Sequence, residues 1–220
     1  MIRAIAWDID GTLVDSEPLH EEALVAVTTA LVPGVSQLDG GRFRGVHMAD
    51  VWQMLAPEIG GRIDEAAWTD RILDHFVAGA AALRPLPGVL AVMEAFAAAG
   101  LVQAAVSNSQ RRVVEANLAA IGACAHLAFS LAYEDVPAGK PDPAPYRMAA
   151  ARLGLPPHAV AAVEDSATGA ASARAAGLRV FGIAPEGGTV PGAEHTVASL
   201  ADLAPLIMPP HARQAAGGAD

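Results

Sequence analysis

Short apolar runs alternate with helical patterns along most of this chain, and this alternation restricts the fold more than any other feature of the sequence. Runs that are apolar almost throughout, with no alternation of polar residues, are typical of strands buried on both faces of a parallel sheet. They lie at residues 2–7, 101–106, 127–131, 160–163 and 180–183. The segments between them have helical periodicity and end at glycines, which often terminate helices. The sequence therefore predicts an α/β fold with a doubly wound parallel sheet.

Residues 17–84 do not follow this alternation. Three helical patterns lie in this stretch, at residues 18–32, 49–55 and 64–83. No strand is evident among them, and the flanking segments 14–18 and 85–88 would make short linkers. We therefore expect an α/β core formed by residues 1–16 and 85–220, interrupted by a helical domain at residues 17–84.

The composition disfavours several classes of protein. Of the 220 residues, 53% are hydrophobic and 17% are charged, so the chain can bury a sizeable core. A net charge of −10 disfavours binding to nucleic acid or to anionic membranes, and an anionic ligand would need a local cation. The single cysteine, Cys124, cannot form an internal disulfide, and no secretory signal or membrane span is evident. We expect a cytoplasmic monomer.

Two aspartates follow the first predicted strand. Parallel α/β sheets bind ligands at the carboxyl ends of their strands, so polar residues there are candidates for chemistry. Asp8 and Asp10 point the same way, and their charges repel each other unless a cation relieves the repulsion. Oxygen ligands and phosphate chemistry favour Mg²⁺ as that cation. The alternative is a polar loop with an N-capping aspartate, which fits a lone aspartate better than the sequence Asp-Ile-Asp-Gly-Thr.

Other polar residues follow later strands or precede helices. Ser107 and Asn108 could hold phosphate oxygens at a helix N-terminus, although ordinary helix capping also explains them. Lys140 lies in a proline-fixed loop and could neutralise a phosphate, although a single lysine is usually a solvated surface residue. Glu164 and Asp165 leave a buried strand together, which favours metal binding or pairing, although a helix N-terminus also accepts acids.

Taken together, these motifs resemble those of haloacid dehalogenase superfamily hydrolases. The similarity is to the phosphatase and β-phosphoglucomutase-like group, in which a helical cap follows the first motif. The matching segments are Asp8-Ile-Asp-Gly-Thr-Leu-Val-Asp-Ser-Glu17, Ser107-Asn108, Gly139-Lys-Pro-Asp-Pro143 and Val163-Glu-Asp-Ser-Ala-Thr-Gly169. The resemblance implies a Rossmann-like core and phosphoryl transfer through an aspartyl-phosphate.

The resemblance also implies a role for each motif residue. Asp8 would be the nucleophile and Asp10 the general acid–base, and both would bind Mg²⁺, Asp10 through its backbone carbonyl. The remaining residues would contact the substrate (Ser107, Asn108 and Lys140) or complete the metal site (Glu164 and Asp165). A carboxylate is already ionised at neutral pH, so Asp8 would need no base in order to attack.

Helical caps of this family close over the site and select the substrate, and here the two linkers would act as hinges. The cap residues expected to contact the substrate are Glu17, His20, Arg44 and His47. His20 is equally well explained as a surface histidine of a helix. Phosphomutases of this group carry an arginine where Met48 stands, and this departure favours a phosphatase.

The expected function is Mg²⁺-dependent hydrolysis of a small phosphorylated metabolite, such as a sugar or sugar-acid phosphate. A sugar phosphomutase is the alternative within the family, and dehalogenases are disfavoured because they lack an acid at the position of Asp10. A non-catalytic phospho-acceptor signalling module is the alternative of another class. Such modules lack the helical insert.

Overall fold

A computed structural model describes residues 1–32, 43, 48–59 and 61–208. Within these residues the chain contains a six-stranded parallel sheet. The strands are β1 (Ala4–Trp7), β2 (Val102–Val106), β3 (Phe129–Leu131), β4 (Val160–Glu164), β5 (Arg179–Ile183) and β6 (His195–Val197). Their order across the sheet is β3-β2-β1-β4-β5-β6. The prediction of a doubly wound parallel sheet is confirmed. The sequence does not predict β6, because this edge strand is short, contains histidine and threonine, and is only partly buried.

Helices connect the strands and also form a separate bundle. The described helices are α1 (Glu17–Leu31), α2 (Met48–Ile59), α3 (Glu65–Gly79), α4 (Val89–Ala98), α5 (Arg111–Ala120), α6 (Ala144–Arg152), α7 (Ala167–Ala175) and α8 (Ala204–Ile207). The chain divides into two compact units, Met1–Asp15 with Arg84–Asp220 and Ser16–Leu83. These junctions lie one residue before the expected boundaries. In the described part of the chain, none of the helices has the length and hydrophobicity needed to cross a bilayer.

The central strand β1 is buried on both faces. Ala4 and Ala6 belong to the core cluster that includes residues of α6 and α7. Trp7 points to the opposite face, where its ring lies 5.9 Å from that of Phe96 on α4. Because successive residues of a strand alternate between faces, a fully apolar strand can support helices on both sides of the sheet.

A buried glutamine links this core together. The indole N–H of Trp7 donates to Gln103 Oε1 at 2.9 Å, and Gln103 Nε2 donates to the backbone carbonyl of Met93 at 2.8 Å. Gln103 lies on β2 and is 2% exposed, so solvent cannot replace either hydrogen bond. The side chain therefore satisfies two buried polar groups from two other elements.

We expect Gln103→Leu to lower the free energy of unfolding by about 2 kcal/mol, because it leaves the Trp7 N–H buried without an acceptor. Urea unfolding of the purified protein measures this difference. Val102→Thr, at a largely exposed position of the same strand, is the matched control and should change stability by less than about 0.5 kcal/mol. Equal urea midpoints for the two variants would contradict the assignment of Gln103 as a structural bridge.

The second unit buries the apolar faces of α1 and α3. Trp68, Ile72 and Phe76 of α3 are buried, and the indole N–H of Trp68 donates to Thr28 Oγ1 at 3.2 Å. The ring of His20 stacks on that of Phe76 with 4.2 Å between centroids. The described residues of this unit thus have a core of their own.

Candidate active site

Three neighbouring strands end at the same edge of the sheet. The strand order places β1 between β2 and β4, with Trp7 in register with Ala105 and Val163. The first residue after β1 is Asp8, whose amide donates to the carbonyl of Val163 at 3.0 Å. Parallel pairing therefore brings the residues that follow β1 and β2 close to the last residue of β4, as expected from the sequence.

A buried lysine joins two of the acids at this edge. Lys140 Nζ donates to Asp8 Oδ1 at 2.6 Å and to Glu164 Oε1 at 2.7 Å. Burial alone would lower the pKa of Lys140, but the charges of Asp8 and Glu164 hold this pKa above its ordinary value. Lys140 is therefore a permanently charged group held between two carboxylates, and not a solvated surface lysine.

Glu164 has a further partner from outside the sequence motifs. The hydroxyl of Tyr146, on α6, donates to the same Oε1 atom that accepts from Lys140. Tyr146 and Glu164 are both fully buried. Burial of the phenol, together with the charge of Glu164, raises the pKa of Tyr146 well above its ordinary value, so the hydroxyl remains a donor. The Oε1 atom of Glu164 is thus engaged by protein groups.

The acids at this edge are crowded. Burial raises the pKa of Asp8 to about 7 even though Lys140 opposes this effect, and the charges of Glu164 and Asp10 add to the increase. Partial desolvation and the charge of Asp8 likewise raise the pKa of Asp165 to about 7. Four carboxyl groups and one ammonium group lie together here, so the cluster has an excess of negative charge that a divalent cation would offset.

The arrangement of these carboxylates fits a cation. Asp8, Glu164 and Asp165 each offer an oxygen, and these oxygens lie within 4.8 Å of one another. Two glycines make room for them: a Cβ at Gly169 would overlap the carboxyl group of Glu164, and a Cβ at Gly11 would overlap that of Asp165. Gly11 also has a φ of +83°, which other residues rarely adopt. The donor set consists entirely of oxygen, as Mg²⁺ prefers.

The carboxylate of Asp10 is held by three side-chain donors. Ser107 Oγ and Ser109 Oγ donate to Asp10 Oδ2 at 3.2 and 2.8 Å, and Asn117 Nδ2 donates to Oδ1 at 2.9 Å. Ser107 belongs to the predicted site residues, whereas Ser109 and Asn117 do not. A polar residue on the otherwise apolar face of α5 is the signal that could have identified Asn117.

Asn108 connects two of the predicted motifs. Its Nδ2 donates to the backbone carbonyl of Lys140 at 3.0 Å, and its Oδ1 accepts from the backbone N–H of Lys140 at 2.7 Å. Both polar atoms of the amide are thus used to fix the loop that carries Lys140. Direct contact between Asn108 and a substrate stays a prediction.

The predicted substrate contacts in the helical unit are described only in part. Glu17 is the first residue of α1, and His20 lies in the same helix with its ring on Phe76. Arg44 and His47 lie outside the described residues. The roles of these four residues stay predictions.

Comparisons with known proteins agree with this geometry. The family model for haloacid dehalogenase-like hydrolases matches residues 2–177. The chain is 30% identical to phosphoglycolate phosphatase of Yersinia pseudotuberculosis, over 83% of this chain and 81% of the relative. It is 28% identical to N-acetylmuramic acid 6-phosphate phosphatase of Pseudomonas aeruginosa, again over 83% of this chain and 81% of the relative.

A solved structure extends the comparison to three dimensions. The crystal structure of CbbY from Rhodobacter sphaeroides in complex with phosphate matches with a TM-score of 0.74 and 27% identity. The match covers 92% of this chain and 96% of that one. The chain therefore belongs to the haloacid dehalogenase-like hydrolase family, as an enzyme of the phosphoric monoester hydrolase class.

Proposed function

We propose that this enzyme is a Mg²⁺-dependent phosphatase that hydrolyses a small phosphorylated metabolite through an aspartyl-phosphate on Asp8. The observation that carries the proposal is the contact of Asp8 with the buried Lys140 beside a crowded group of acids. In its ionised form, which a bound divalent cation would favour over the protonated form, Asp8 can attack phosphorus, and the fixed ammonium group can offset the charge of the incoming phosphoryl oxygens.

Asp8 and Asp165 are the side chains we expect to hold Mg²⁺, together with the backbone carbonyl of Asp10. When bound, the ion would offset charge on the phosphoryl oxygens and on the attacking carboxylate. Glu164 completes the acidic group, but its Oε1 accepts from Lys140 and Tyr146. We therefore assign Glu164 mainly to the placement of Lys140.

Asp8 and Asp10 divide the reaction between them. An oxygen of Asp8 forms a bond to phosphorus while the bond from phosphorus to the leaving oxygen breaks, and the Asp10 carboxyl group gives its proton to that oxygen. In the second half, the Asp10 carboxylate takes a proton from water as the water oxygen bonds to phosphorus and Asp8 is released. Ser107 and Lys140 hold the phosphoryl oxygens in both steps.

The substrate we propose is a sugar phosphate or a sugar-acid phosphate. The two named relatives act on small phosphorylated acids, according to their names, and the matched CbbY structure contains phosphate. The net charge of −10 supports a small substrate bound through local cations, and disfavours nucleic acid and anionic membranes as partners. We expect the enzyme to act in the cytoplasm.

Phosphate release from a panel of sugar phosphates and small phosphorylated acids tests the proposal. We expect multiple turnovers with Mg²⁺ and a loss of at least about 100-fold when EDTA removes the metal, because the acidic cluster then lacks its main counter-charge. Restored activity on renewed addition of Mg²⁺ is the control. An isomerised sugar phosphate with little free phosphate would instead identify a mutase, and a single turnover would identify a phospho-acceptor module.

A further inference from the structure

Asn117 occupies an unusual place for an amide side chain. It lies on the face of α5 that also buries Val113, Val114 and Leu118, and it is 0% exposed. A polar group at such a position loses its contacts with water and needs partners within the protein. A leucine would be expected there if packing alone determined the residue.

The hydrogen bonds of Asn117 are divided unequally. Its Nδ2 donates to Asp10 Oδ1 at 2.9 Å, whereas its Oδ1 is buried and has no hydrogen-bond partner among the residues that the structure describes. The amide therefore carries the cost of an unsatisfied carbonyl. The hydrogen bond to Asp10 is the interaction that an apolar residue at this position could not make.

This hydrogen bond supports the Asp10 carboxylate from a second direction. The two serine hydroxyls hold Oδ2 from the loop after β2, and Asn117 holds Oδ1 from a helix. With donors on both oxygens, rotation of the carboxylate about its Cβ–Cγ bond is restricted. Loss of Asn117 would leave the serines on one oxygen and release the other from α5.

We propose that Asn117 is a positioning residue that sets the orientation in which Asp10 transfers its proton. This inference rests on the proposed function, in which Asp10 protonates the leaving oxygen. Because the transition state of phosphoryl transfer is loose, charge on the leaving oxygen is large, and a more basic leaving alcohol depends more strongly on that proton. A misdirected Asp10 should therefore slow substrates with basic leaving groups selectively.

The test compares Asn117→Leu with the wild type on 4-nitrophenyl, phenyl and benzyl phosphate, whose leaving groups increase in basicity. We expect kcat/KM to fall by about tenfold for benzyl phosphate and by less than about twofold for 4-nitrophenyl phosphate, since general acid catalysis contributes about 10²–10⁴-fold when intact. The quantity kcat/KM reports the transfer to Asp8, before water enters. Asn117→Ala, which adds no atoms, gives the same test if the leucine variant does not fold.

Two controls separate positioning from packing. Leu118→Val, on the same buried face of α5, should lower the melting temperature without changing the relative kcat/KM of the three substrates. In the Asp10→Asn background, Asn117→Leu should cause no further selective loss. An equal loss on all three substrates, or no loss, would overturn the inference. Failure of the proposed function would look different, because the wild type would then release no phosphate or Asp8→Asn would stay active.

Discussion

Asp8→Asn should reduce phosphate release by about 10⁴-fold or more, which is the effect expected when a catalytic nucleophile is removed. The amide has nearly the same shape as the carboxylate, and its oxygen can still accept from Lys140 Nζ, which lies 2.6 Å from Asp8 Oδ1. The amide is too weak a nucleophile to form the bond to phosphorus that the carboxylate forms. The loss should therefore be chemical, with the folded structure retained, and steady-state phosphate release with Mg²⁺ measures it.

Asp202→Asn is the matched control. Asp202 is an exposed acid in the same α/β unit as Asp8, and it lies in the short helix Leu200–Leu203, outside the acidic cluster. Its activity should equal that of the wild type. When wild-type enzyme is mixed with substrate and then quenched with acid, intact-protein mass spectrometry should detect one phosphoryl group on the protein. The same procedure should detect none on Asp8→Asn. If Asp8→Asn retained more than about a hundredth of the activity, the covalent mechanism would be wrong.

The convergence of the site residues at one edge of the sheet was predictable from the sequence, because the strands are parallel. Strands β1, β2 and β4 each end in or just before a polar residue, and parallel strands place those residues at one edge. This reasoning identifies Asp8, Asp10 and Glu164 without knowledge of any side-chain contact. It also predicts the acidic character of the edge, and the close approach of the oxygens of Asp8, Glu164 and Asp165 agrees with it.

The helical contributions to the site were not predictable in the same way. Tyr146 and Asn117 lie on α6 and α5, and their contacts depend on which face of each helix packs against the strand ends. The sequence alone gives a helix period but not the rotation of the helix relative to the loops it meets. A tyrosine or asparagine on an apolar helix face indicates that a buried hydrogen-bond partner exists, but it does not identify that partner.

Asn108 illustrates the same limit at a shorter distance. Its place directly after Ser107 suggests contact with a phosphate, yet both of its amide atoms meet the backbone of Lys140. Two loops that are 32 residues apart thus depend on each other for their conformation. Such a dependence between motifs is a property of the folded chain, and a linear motif does not contain it.

Lys140→Met should have the second large effect, on both activity and stability. Removing the ammonium group leaves the buried carboxylates of Asp8 and Glu164 without their shared counter-charge. Loss of one partner of a buried ion pair typically costs about 3–5 kcal/mol of stability. Activity should fall by about 10²–10³-fold, which is typical for loss of one preorganised group that stabilises charge in the transition state. Urea unfolding and phosphate release measure the two effects separately.

A second substitution shows whether the two effects have separate causes. Glu164→Gln removes one of the two buried carboxylates that Lys140→Met leaves unpaired, and the amide oxygen can still accept from Tyr146. The double variant should therefore recover part of the stability that Lys140→Met loses. It should recover no activity, because the phosphoryl oxygens still lack the ammonium group.

Lys140 is the only lysine in the sequence, so a sample labelled at the lysine side-chain nitrogen gives one NMR signal. That signal should shift when inorganic phosphate is added with Mg²⁺. An unchanged signal, or activity recovered together with stability, would restrict Lys140 to a structural role.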